Sequence, residues 1–154
     1  MESARIQHLW EQLYDGDPWT WIRLKDILKD VDAVQAACHP IPNANSIWQL
    51  VQHCSGWRRN VLRKMQGEAF RSPDDNYLSE PDNVSPQAWE QLLADFEQVD
   101  TDWRNFISTL SDEDLDRPYA PADGKYTWYA VIHGLMHHDN YHFGQIIMLK
   151  KMLP

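Results

Sequence analysis

Cysteine is scarce in this chain of 154 residues: Cys38 and Cys54 are its only two, too few for a disulfide framework. Positive charge is also short. Lys and Arg total 14 against 23 Asp and Glu, a formal net charge of −9. An acidic surface of that size repels phosphate backbones and excludes a general nucleic-acid binder. No apolar run reaches the roughly 18 residues of a membrane span, and Met1-Glu2-Ser3 does not open a signal peptide. A cytoplasmic protein is therefore expected, touching neither membrane nor nucleic acid. Glycine is sparse too, with six residues, and proline and glycine together fall mostly between periodic segments. The length suits one domain, and 43% hydrophobic with 24% charged residues is ordinary for a soluble globular chain that can bury a core without staples. What the chain has in excess is eight tryptophans and seven histidines.

The punctuation reads as helices throughout. Ile6, Leu9, Trp10 and Leu13 form a helical stripe over residues 4–14, ended by Asp15-Gly16-Asp17. Asp17-Pro18 has the form of an N-cap and first-turn proline and predicts a helix running to about Lys29. Ser46-Ile47-Trp48-Gln49 has capping-box spacing and opens a helix to about Gln66. Residues 67–84 lack periodicity and are long enough for a functional loop. Ser85-Pro86 starts the next helix, which carries Trp89, Phe96, Val99 and Trp103 to Leu110 on one side. An acidic turn from Ser111 to Leu115 and a second loop through Pro118, Pro121 and Gly124 follow. Thr127 is the N-cap of a last helix. No segment alternates as a strand does, so the whole chain, 1–154, is expected to be one all-α domain, a four-helix bundle with additional short helices.

The last helix is the informative one. Trp128, Val131, Leu135, His138, His142, Gln145, Leu149 and Met152 alternate at spacings of three and four, the seam of a bundle helix. On that seam His138 and His142 are predicted to face the core one turn apart, where two imidazoles can converge on a metal ion. His133 and His137 share that spacing on a more polar stripe. A third ligand must come from another helix, and His53 qualifies, between Leu50 and Trp57 on an apolar face. His8 misses the apolar face of its helix, and His39 precedes Pro40 in a loop. The bland alternative is a set of hydrogen-bonded core histidines. It requires a buried partner for each ring nitrogen, at about 1–3 kcal/mol for every unsatisfied group.

The stretch His138-Asp139-Asn140-Tyr141-His142-Phe143-Gly144-Gln145-Ile146, taken with Ser46 to His53 and Trp57, resembles the DinB/YfiT-like superfamily. Asp15-Gly16-Asp17-Pro18-Trp19 fits one branch of it. The resemblance implies a four-helix bundle, often dimeric, whose three histidines hold a divalent metal. The matching positions here are His53, His138 and His142, the same three that the helical faces select. It also implies two kinds of activity, metal-dependent hydrolysis and the transfer of small thiols to electrophiles.

Three neutral imidazoles leave the cation's charge uncompensated and a coordination position open, as in catalytic rather than structural sites. Zinc or nickel suits such ligands. The open position can activate water or a small thiol, and nothing in the sequence chooses between them. Asp139 gives His-Asp-x-x-His, an echo of the zinc-protease pattern. Its readings are a general base, a residue orienting a ligand, or a side chain facing a neighbouring helix or solvent, with the last preferred over base chemistry. Gln145 is the better candidate for fixing an imidazole tautomer or touching a ligand. Cys54 lies about 100° around the helix from His53 and reads as a buried inert thiol. Trp48, Trp57 and Tyr141 either wall a pocket or fill the core. The expected function is a metal-dependent enzyme acting on a small molecule. The alternative is a non-catalytic, metal-stabilised bundle binding a ligand or a protein. The tryptophan excess suggests a homodimer. Imidazole must be neutral to coordinate, so metal occupancy is expected to fail below roughly pH 6.

Overall fold

The structure is a computed structural model that describes residues 1–69, 71–119 and 125–153. Among these residues six α-helices follow in order: α1 (Glu2–Tyr14), α2 (Leu24–Leu28), α3 (Ala33–Ala37), α4 (Ile47–Met65), α5 (Pro86–Ser108) and α6 (Trp128–Lys151), with a 3-10 turn at Asp114–Asp116. Four of them are long, and α4 packs on α5, α3 and α6 while α1 packs on α5. Among the described residues there is no strand, only an isolated antiparallel bridge between Pro118 and Thr127. The architecture is the all-α bundle expected.

The helix starts follow from local chemistry. Ser46 Oγ accepts from the Gln49 amide at 3.2 Å while Gln49 Oε1 accepts from the Ser46 amide at 2.8 Å, a complete capping box. Ser85 caps α5 ahead of Pro86, and Thr127 caps α6. Each cap satisfies a backbone donor that the first turn leaves without a partner.

Two segments depart from expectation. The helix expected from Asp17-Pro18 does not form there. Trp21 donates its amide to Pro18 O in a turn, its φ is 59°, and helix begins only at Leu24. Trp19 and Trp21 stand 93% and 87% exposed while Pro18 and Ile22 turn inward, little burial to reward helix across 18–23, and tertiary context overrides the proline signal. Instead the capping box Asp32-Ala33-Val34-Gln35 opens the short α3.

The second departure is the seam of α6. Its buried stripe is Trp128, Ile132, Leu135, Met136, Asp139, Phe143, Ile146 and Leu149. The expected seam lies one position off: Val131, His138, His142 and Gln145 are only partly buried and Met152 is exposed. The apolar residues Ile132, Phe143 and Ile146 take the centre and turn the histidines to the edge of the buried face. In α1, similarly, Leu9 is exposed and the buried face is Ile6, Trp10, Leu13 and Tyr14.

The core comes in two apolar compartments. One gathers Leu24, Trp48, Val51, Cys54, Trp89, Phe96, Phe143 and Ile146; the other gathers Ile6, Trp10, Val61, Val99, Trp103, Trp128, Ile132 and Leu135. Between them lie buried Arg58 of α4, Asp100 of α5 and Asp139 of α6.

Candidate metal centre

α4 contributes His53 and α6 contributes His138 and His142. One nitrogen from each ring lies within 4.8 Å of the others, and His53 Nε2 is 2.9 Å from His138 Nε2. The i, i+4 spacing on α6 sets its two rings 4.5 Å apart between centroids. His53 is buried, and the His138 side chain keeps 28% of its surface open. The trio therefore sits at the rim of the core, where a solute can reach it.

The outer nitrogen of every ring is occupied. His53 Nδ1 donates to Asn76 O at 2.7 Å, His138 Nδ1 to Asp139 Oδ1 at 3.2 Å, and His142 Nδ1 to Gln145 Oε1 at 2.6 Å. Each partner is an acceptor, so each ring holds its proton on Nδ1 and presents the Nε2 lone pair. Burial, with the neighbouring rings adding to it, pulls the His142 pKa down to about 4 and that of His53 below the usual histidine range. Both rings are neutral at pH 7 and able to coordinate. A second grouping, Cys54 with His138 and Asp139, also falls within 4.8 Å. It is the poorer donor set. Burial pushes the Cys54 thiol well above its ordinary range, and Asp139 is taken by an arginine.

That arginine is Arg58, fully buried. Its Nε donates to Asp139 Oδ2 at 2.6 Å and its Nη1 to Asp100 Oδ1 at 2.6 Å. The guanidinium lies over the Trp10 and Phe96 rings, 4.7 and 4.6 Å from their centroids. Trp10 Nε1 and Arg104 Nε complete Asp100, and Arg104 reaches on to Asp15. Asp139 thus faces α4, joined to His138 on one oxygen and to Arg58 on the other. With both oxygens engaged it has the geometry of an orienting group rather than a base.

A strap from the first loop covers the α4 side of the site. Asn76 and Tyr77 are both left-handed, with φ of 57° and 61°, conformations that side chains adopt only when other contacts hold them. Here Trp57 Nε1 donates to Asn76 Oδ1, Gln49 Nε2 to Leu78 O and Gln52 Nε2 to Tyr77 O. The Tyr77 ring rests on Gly56, where a Cβ would collide with it. The result aims the Asn76 carbonyl at His53.

The other candidate residues lie apart. His8 is exposed. His39 bonds to Ala44 O and Glu80, and the His133 ring lies tilted against Tyr129. Trp48 packs on Trp89 in the core rather than at the site, whereas Trp57 and Tyr141 flank the histidines. The described part of the second loop pairs with the start of α6, roughly 15 Å along the axis from His138. Pro121 and Gly124 fall outside the described residues. Sequence reasoning missed Arg58, Asp100 and Asn76. Arg58 carries a usable signal, being a charge on the face of α4 that also bears Cys54, Val61 and Leu62; the loop asparagine carries none.

A model of the DinB superfamily matches residues 18–146. This chain belongs to the DinB superfamily. The matched stretch of this DinB-superfamily chain takes in all three histidines, the strap and Arg58. No curated protein and no solved structure matches the chain. DinB membership is compatible with metal binding, and His53, His138 and His142 are a possible divalent-metal site.

Proposed function

We propose that this DinB-superfamily chain binds a divalent ion, zinc or nickel, through His53, His138 and His142, and that it is a metal-dependent enzyme of the hydrolase or thiol-transferase type. One observation carries the reading: three Nδ1–H groups are each held by an acceptor while the facing nitrogens converge without a donor among them. Lone pairs so placed repel one another unless a cation or a proton lies between them, and the lowered pKa values of His53 and His142 disfavour the proton.

A bound divalent ion supplies Lewis acidity, enough to bring a coordinated water towards a pKa of ~7 or to deprotonate a coordinated thiol. The chain's own residues do the rest. Three uncharged ligands leave that acidity undiminished, because the nearest carboxylate, Asp139, is neutralised by Arg58. Gln145 holds His142 and donates its Nε2 to Tyr141 Oη at 3.1 Å. Tyr141 and Gln145 in turn line a groove of about 440 Å³ with Ile41, Leu50, Met148 and Leu149, a size suited to a small-molecule substrate.

The test is metal analysis of untagged protein followed by thiol-transfer and ester-hydrolysis screens on native, chelated and reloaded samples. One divalent ion per chain, with an activity that leaves on chelation and returns on reloading, supports the enzyme. A tightly held ion with no reaction in either screen, whose removal melts the helices, supports the metal-stabilised binding module instead.

A further inference from the structure

We propose that Arg58 is a positioning residue of the metal centre, acting through Asp139 to fix the direction of the His138 lone pair. The inference rests on the metal-centre reading and extends it to a residue that touches no ligand.

Asp139 is fully buried and its two oxygens face different ways, Oδ1 to His138 Nδ1 and Oδ2 to Arg58 Nε. The carboxylate plane is therefore set by the arginine. The arginine is in turn held through two of its three nitrogens, Nε on Asp139 and Nη1 on Asp100, with its faces over Trp10 and Phe96, while Nη2 has no hydrogen-bond partner among the described residues. A planar fork can bond two carboxylates in fixed directions, which a lysine ammonium cannot. His138 needs such support more than its neighbours do. Its Nδ1 contact is the longest of the three at 3.2 Å, against 2.7 Å for His53 and 2.6 Å for His142, and it is made to the adjacent residue in the chain. Among the described residues, Asp139 alone accepts from that ring nitrogen, so a mobile carboxylate would leave the tautomer undecided. A buried arginine placed only for packing would not need its Nε aimed at the carboxylate that holds a metal-site histidine.

The experiment measures two things on wild type, Arg58→Lys and Arg58→Met. The first is the imidazole tautomer in metal-free ¹⁵N-labelled protein, read from long-range ¹H–¹⁵N correlations. The second is Co(II) affinity and the cobalt ligand-field spectrum. In wild type His138 is expected as the Nδ1–H tautomer. In Arg58→Met its tautomers should mix while those of His53 and His142 stay fixed, and Co(II) affinity should fall about 10- to 100-fold, the range for losing an outer partner of a metal ligand. Arg58→Lys, which keeps the charge and guards against a failure of the Met variant to fold, should fall between the two. A lysine variant equal to wild type in tautomer and affinity would overturn the proposal. Wild type that binds no Co(II) would sink the metal-centre reading, and the tautomer measurement would then decide the role of Arg58 alone.

Discussion

His53 Nε2 and His138 Nε2 face each other at 2.9 Å, from different helices and with their far nitrogens both donating elsewhere. Two acceptors at that distance form an attractive pair only around something positive. His142 closes the third side.

Replacing His53, His138 or His142 singly by Ala should drop the bound divalent metal well below one ion per chain, measured by elemental analysis after dialysis. His8→Ala and His39→Ala should leave it unchanged, since both lie apart from the trio. Equal loss from all five variants would contradict the assignment.

Chelation should leave the far-ultraviolet dichroism of the helices largely intact. The two apolar compartments include Trp10, Trp48, Trp89, Trp103 and Trp128, burial enough to hold the bundle without an ion. Loss of helical signal with EDTA would assign the metal a structural role.

Gly56→Ala should push the Tyr77 ring away and carry Asn76 off His53. Overpacking of this kind costs about 1–3 kcal/mol, readable as a lower urea midpoint. Metal affinity should fall as well. A variant that loses stability but binds metal as wild type does would show that the strap does not aim His53.

The lowered pKa values of His53 and His142 fix the sign of the acid response. In the metal-free protein these rings are neutral when folded and take up protons more readily when unfolded. Their contribution is fully present above the unfolded value of about 6.5 and is lost as pH falls towards 4. Because the site is partly open to solvent, the loss should be on the order of 1 kcal/mol. Urea titrations at pH 7.0, 5.5 and 4.5 measure it, and stability that rises on acidification across that window would contradict these signs. The simpler sequence expectation, occupancy failing near pH 6, shifts downward for the same reason.

We expect a homodimer that uses Trp19 and Trp21, the two tryptophans left 93% and 87% exposed while five others are buried. Light scattering should give twice the chain mass for wild type and a single chain mass for Trp19→Ser/Trp21→Ser. A monomeric wild type at high concentration would end this expectation.

The long helices were legible because caps and periodicity agree: Ser46 with Gln49, Ser85 with Pro86, and Thr127 all cap helices in the structure. The grouping of His53, His138 and His142 was legible from spacing and apolar faces. The orientation of α6 was not. A seam counted by threes and fours cannot tell Val131 from Ile132 or His142 from Phe143 when both stripes carry apolar residues. In the structure Ile132, Phe143 and Ile146 take the buried stripe together with Asp139, which meets Arg58 across 81 positions of the chain. The strap was out of reach for a related reason, since the left-handed pair Asn76–Tyr77 is held by α4 side chains rather than by its own sequence.

The ionic layer between the two apolar compartments also fixes how far each helix can slip along its axis. Moving α6 by one turn would set Leu135 or Phe143 against the guanidinium of Arg58 and strand a buried charge, at a cost of about 3–5 kcal/mol. A bundle held by leucines and tryptophans alone would tolerate neighbouring alignments far more easily. Here Arg58, Asp100 and Asp139 work as a pin through three helices, and on α6 that pin stands one residue from His138.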